Sequence, residues 1–119
     1  MEITETLLVD SRQEWRAWLA QHHQDKREIW LIYYKKSSGK TGITYDESVE
    51  EALCFGWIDS AFKGIDEEKY AGRFTPRRPK SPWSASNRER VARLLSDGRM
   101  TAAGLAVLPA DLQSSEETR

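Results

Sequence analysis

Cysteine is almost absent from this chain of 119 residues: Cys54 stands alone. A single thiol excludes an intramolecular disulfide and a cysteine pair for a metal. Histidine is nearly as scarce, with His22 and His23 side by side. Adjacent side chains diverge on a helix and no third ligand stands near them, so no metal centre is expected. No apolar run approaches the length of a membrane span. The first twenty residues lack the basic start, apolar middle and small-residue cleavage site of a secretory leader, and the expected compartment is the cytoplasm. Charge of one sign is missing too: 18 Lys and Arg against 19 Asp and Glu leave a net charge of −1. Without a global field, nucleic acid or a membrane surface would need a local patch.

What the chain does have is aromatic side chains: five tryptophans, four tyrosines and three phenylalanines. They supply large apolar areas, so the core is expected to be aromatic-rich. A chain of this length forms one domain, burying roughly two thirds of its unfolded surface. Residues 1–108 are read as that domain and residues 109–119 as a polar, flexible tail.

Periodicity outlines the elements. Thr6–Val9 reads as a short edge strand. Ser11 and Glu14 have capping-box spacing, and Trp15, Trp18, Leu19 and His22 then mark one face of a helix. Glu28–Tyr34 is the clearest strand, apolar on both faces and therefore central. The loop of residues 35–42 contains Gly39-Lys40-Thr41 but has Tyr34 where a nucleotide loop needs its first glycine, so that cofactor motif fails. Thr44 and Glu47 open a second helix, which Gly56 ends. Cys54, near that C-terminus, is expected to be a buried core residue rather than an activated thiol.

Trp57–Lys63 and Lys69–Thr75 read as a hairpin. Centred on Asp66, it opposes Phe62 with Tyr70, Ile58 with Phe74 and Asp59 with Arg73. This predicts a core-facing aromatic side and a reverse side where Asp59 and Arg73 pair beside Trp57. Pro76, Pro79 and Pro82 then impose an extended path that presents Arg77, Arg78 and Lys80. Ser86 and Glu89 have the spacing of a further capping box. A helix start offers free amides and a positive dipole end, which suits an anion. Residues 100–108 read as a last short helix. The expected fold is α+β: a small antiparallel sheet, made of the central strand and the hairpin, packed with about four helices.

Three function classes follow. The favoured one is a module that holds an anionic small molecule or an acidic partner, with Trp57, Asp59, Arg73, Arg77, Arg78, Lys80, Ser81, Trp83, Ser84 and Asn87 as its site. The second is a winged-helix-like nucleic-acid binder using Arg77, Arg78, Lys80, Arg88 and Arg90, which the net charge opposes. The third is an enzyme with Asp59 as base or Cys54 as nucleophile. It ranks last because no histidine partner, carboxylate pair or metal motif supports it.

The blocks ALCFGWIDS, RFTPRRPKSPWSASN and GRMTAAG together resemble the YdeI/OmpD-associated, or bacteriocin-protection, family of bacterial proteins over about residues 10–105. The resemblance implies protection against bacteriocins or envelope stress and association with a porin, without an established reaction. The resemblance also implies a helical C-terminal region that is absent here or reduced to a remnant. The matching positions are Gly56, Trp57, Asp59, Arg73, Thr75, Pro76, Arg77, Ser81, Trp83, Ser84 and Asn87.

Overall fold

The apolar run at Ile29–Tyr34 (β2) forms a strand buried on both faces. In the computed structural model, which describes residues 2–78 and 81–112, β2 lies inside a four-stranded mixed sheet of order β1-β2-β4-β3. Thr6–Leu7 (β1) pairs parallel to one side of β2. Lys69–Pro76 (β4) pairs antiparallel to the other, and Trp57–Gly64 (β3) forms the outer edge. The α+β class is as expected, but the sheet is mixed: the short edge strand joins it, and in parallel. Val9 is buried just beyond β1, outside the strand.

Beside the sheet lie the α-helices Arg12–His22 (α1), Tyr45–Cys54 (α2), Ala85–Ser96 (α3) and Ala102–Ala106 (α4), with a short 3-10 helix at Lys36–Ser38 and further helical residues at 110–112. Ser11 caps α1 by accepting from the Glu14 amide, whereas the Glu14 carboxylate reaches back to the Asp10 amide, one residue earlier than a capping box requires. At Thr44 the reciprocal box is complete and satisfies two amides that would otherwise lack partners. For α3 the cap is Ser84, which accepts from the Asn87 amide at 3.1 Å. The helix therefore starts two residues before the Ser86 expected from spacing. Helix α4 is shorter than residues 100–108, because Thr101 caps it and also donates to the Cys54 carbonyl.

Helix α2 touches α1, β3, α3 and α4. On this side of the sheet Ile29, Leu31, Tyr33, Trp57 and Phe74 join Trp15, Leu19, Val49, Leu53, Val91 and Leu94 in the main core. Trp15 stacks on Trp18 at 5.5 Å and meets the Phe74 ring edge-on at 5.2 Å. Its indole N–H donates to the Ser48 carbonyl at 2.9 Å, so the buried polar atom is satisfied. The other face holds a smaller cluster of Trp30, Ile32 and Ala71.

Residues 109–112, read as the start of a flexible tail, include side chains that contact the domain. Leu108 is buried, Leu112 packs against the core, and Asp111 pairs with Arg88. Residues 113–119, the rest of the expected tail, lie outside the described residues, as do Pro79 and Lys80.

Candidate functional site

The hairpin sets the site, and its register differs from the expected one. Asp66 makes a local turn, accepting from the amides of Glu68 and Lys69 at 2.8 and 2.9 Å. This offsets the strands by two residues: Phe62 opposes Gly72 and Ala61 opposes Arg73. A bulge between Asp59 and Ala61 then shifts the pairing again, so that Asp59 opposes Phe74 and Trp57 opposes Pro76. A bulge inserts one unpaired residue and turns the following side chains to the other face.

The bulge takes apart the expected Asp59–Arg73 pair. Asp59 accepts from the Tyr45 hydroxyl at 3.0 Å, and burial followed by that bond pushes the Tyr45 hydroxyl up to about 12. Arg73 faces the opposite way, where Glu28 accepts from its Nε and Ser60 Oγ accepts from Nη1 at 3.1 Å. Hydrogen bonds from Thr4 and Arg73 hold the Glu28 carboxyl below the usual range. Trp57 is a core residue, 1% exposed, with its ring edge-on to Trp18. Phe62, expected in the core, is 49% exposed beside Tyr45 and Tyr70.

The rest of the expected site does come together, in the arm between β4 and α3. The Arg77 amide donates to the Gly56 carbonyl at 2.8 Å, which ties the arm to the turn that ends α2. Gly56 has φ 77°, a left-handed conformation that only glycine adopts without strain. The Arg77 guanidinium donates through Nη2 to the carbonyls of Ser81 and Pro82 at 3.3 and 2.5 Å. Its Cζ lies 3.8 Å from the centre of the Trp83 ring, and Trp83 packs on the main core. Ser81 closes the turn by donating from its amide and hydroxyl to the Arg78 carbonyl, while the Arg78 side chain is exposed. Ser84 holds the start of α3, and the Asn87 side-chain oxygen accepts from Arg90 at 3.0 Å. Lys80, the remaining expected member, lies outside the described residues.

Arg77 is the one buried arginine among the described residues. Burial pushes its guanidinium below the ordinary arginine value. Two carbonyls and an aromatic face surround it, and no carboxylate among the described residues bonds to it. The arm thus carries a desolvated positive charge next to exposed Arg78 and the positive end of α3.

A second charged centre escaped sequence reasoning altogether. Glu51 on α2 is fully buried, and its carboxylate accepts from Arg12 at 2.7 Å, from Arg16 at 2.8 Å and from Arg99. Burial alone would raise the Glu51 carboxyl, but hydrogen bonds from Arg16 and Arg12 and the charge of Arg99 hold it below its ordinary value. Neighbouring Glu50 accepts from Arg12 at 2.8 Å and lies 3.6 Å from Arg93. Gly98, at φ 71°, ends α3 and turns the chain so that Arg99 reaches the group. Cys54 lies alongside, fully buried; burial pushes its thiol up, and the nearby Arg16 only partly offsets this. The sequence signal was faint. Arg12 and Arg16 are four apart on one helix, but Glu51 falls on the opposite side of α2 from the apolar stripe that marked its buried face.

One mixed sheet, helices gathered on one face around α2, and a basic arm leading into α3 define this as a small α+β domain. Residues 7–107 match a family described as Domain of unknown function (DUF8412), and the chain belongs to that family. This match replaces the resemblance to the YdeI/OmpD-associated family, and with it the implied bacteriocin and porin connection. The three blocks that carried the resemblance are glycine-, proline- and tryptophan-rich stretches that meet backbone demands at the α2–β3 turn, the arm and the Gly98–Gly104 segment. No curated protein and no solved structure matches the chain. No helix among the described residues is long and apolar enough to cross a membrane.

Proposed function

We propose that this protein is a binding module for an anionic small molecule or an acidic partner, held by the arm of Arg77, Arg78 and Ser81 and by the α3 start at Ser84. The observation that carries the reading is Arg77, a buried guanidinium with no carboxylate among the described residues to balance it. Every hydrogen bond described for its guanidinium goes to a neutral carbonyl, so the arm retains a full positive charge that a carboxylate or phosphate would complement. The dipole of α3 adds to this field. Asp59 and Arg73 are engaged elsewhere, and Trp57, although it opposes Pro76 at the base of the arm, is buried in the core; none of the three has a part in the reading.

A nucleic-acid surface draws less support, because Arg88 and Arg90 are paired with Asp111 and Asp46. An enzymatic role for Cys54 is disfavoured by its full burial.

The test is a thermal-shift screen of carboxylates, phosphates, nucleotides and acidic peptides on the wild type, Arg78→Ala and Arg77→Lys. A ligand that raises the wild-type midpoint, and raises it less in both variants, supports the arm as the site through linkage. Equal shifts in all three proteins, or no shift with any compound, would remove the reading.

A further inference from the structure

We propose that the arginine cluster around Glu51 is a separate site for a small phosphate-type oxyanion, with Arg16 and Arg99 as the contacting residues. The inference is independent of the role of the arm: the residues differ, and so do the elements that carry them. Helix α1 contributes Arg12 and Arg16, α2 contributes Glu50 and Glu51, α3 contributes Arg93, and the turn after Gly98 contributes Arg99.

Charge balance is the first argument. Four arginines, Arg12, Arg16, Arg93 and Arg99, face two glutamates, Glu50 and Glu51, so four positive charges less two negative leave an excess of two. Three of these guanidiniums converge on the single carboxylate of Glu51, where they also repel one another. An anion carrying two charges neutralises the excess, and its several oxygens suit the forked donors of arginine.

Access and unused donors supply the second argument. Glu51 lies at the bottom with 0% side-chain exposure, while the side chains of Arg16 and Arg99 are 34% and 38% exposed above it. Arg16 is already held in position: Nη1 donates to Glu51, Nη2 donates to the Arg99 carbonyl at 2.9 Å, and Cζ lies 5.2 Å from the centre of the Phe55 ring. Arg99 donates to Glu51 through Nη2, yet its Nε is buried with no hydrogen-bond partner. The protein itself leaves Arg99 incompletely bonded, and an anion would meet this guanidinium from its exposed side. Glu51 thus orients two arginines whose outer edges reach solvent.

The experiment titrates the full chain with inorganic phosphate at fixed ionic strength and follows the arginine Nε–Hε resonances by NMR, assigned from single Arg→Lys variants. Saturable shifts at Arg16 and Arg99 are expected, and Arg99→Gln should weaken apparent phosphate affinity by at least about tenfold. Chloride at matched ionic strength should give no saturable shift. Linear shifts shared with chloride, or saturable shifts confined to Arg77, would overturn the proposal. Should Arg99→Gln fail to fold, the wild-type shift map decides by itself, since the responding arginines identify the site.

Discussion

The Arg77 guanidinium lies 3.8 Å from the centre of the Trp83 ring, six residues along the chain, and donates to two backbone carbonyls between them. The arm therefore folds back on itself around a cation. Ser81 closes the turn through the Arg78 carbonyl, and the Arg77 side chain holds the far end of the arm against its start.

Arg77→Lys keeps the charge and loses the planar stack and the fork. Urea denaturation should show a loss of about 1–2 kcal/mol. Arg78→Ala, at an exposed side chain, should change stability by less than about 0.5 kcal/mol. Equal effects of the two substitutions would mean that the stack contributes nothing.

Glu51→Gln removes a buried charge beneath three arginines. Breaking a buried pair costs about 3–5 kcal/mol, and the expected value lies near ~3 kcal/mol because the arginines reach solvent and are partly screened. The carboxyl is depressed in the folded protein below its ordinary value of 4.5. Its contribution is therefore present above the unfolded value and lost as pH falls through the folded one. Stability of the wild type should decline below about pH 4.5 more steeply than that of Glu51→Gln, as measured by denaturant midpoints across an acid series.

Gly104 sits against α2 so closely that a methyl group there would collide with the Cys54 carbonyl. Gly104→Ala should destabilise by about 1–3 kcal/mol or more, since backbone rather than a flexible side chain must move. Gly98→Ala meets no neighbour but carries the strain of φ 71°, and should cost about 1 kcal/mol. The order of the two melting temperatures checks the distinction.

Cys54 should resist alkylation. Its side chain is fully buried and burial raises the thiol, so reaction requires an opening of the core. Iodoacetamide labelling followed by mass spectrometry should run at least ~100-fold slower in the native protein than in urea. Rapid native labelling would show that the α1–α2 interface opens readily.

The elements themselves were largely legible. Ile29–Tyr34 reads as central because each face is apolar, and it is flanked on both sides. Thr44 with Glu47, and Gly56 after Phe55, begin and end α2 where their local chemistry places them. The start of α3 is where the local reading missed: Ser86 with Glu89 has capping-box spacing, but the cap is Ser84, whose hydroxyl accepts from the Asn87 amide. Within the candidate site, Arg77, Ser81, Trp83, Ser84 and Asn87 are near one another because they are near in sequence. Of the residues that needed strand pairing to join them, Trp57 opposes Pro76 with its side chain buried in the core, while Asp59 and Arg73 turn to Tyr45 and Glu28.

What the sequence determined by itself is therefore local: helix caps, glycine turns and the two-sided strand. These depend on interactions spanning a few residues, and the residue types alone specify them. Tertiary structure decided the rest. The Ser60 bulge sends Trp57 and Asp59 to the Phe74 side, and no turn signal encodes a bulge five residues away. The burial of Glu51 beneath Arg12, Arg16 and Arg99 requires three segments to meet. A charge on the polar side of a helix reads as solvent-exposed until packing brings other helices over it.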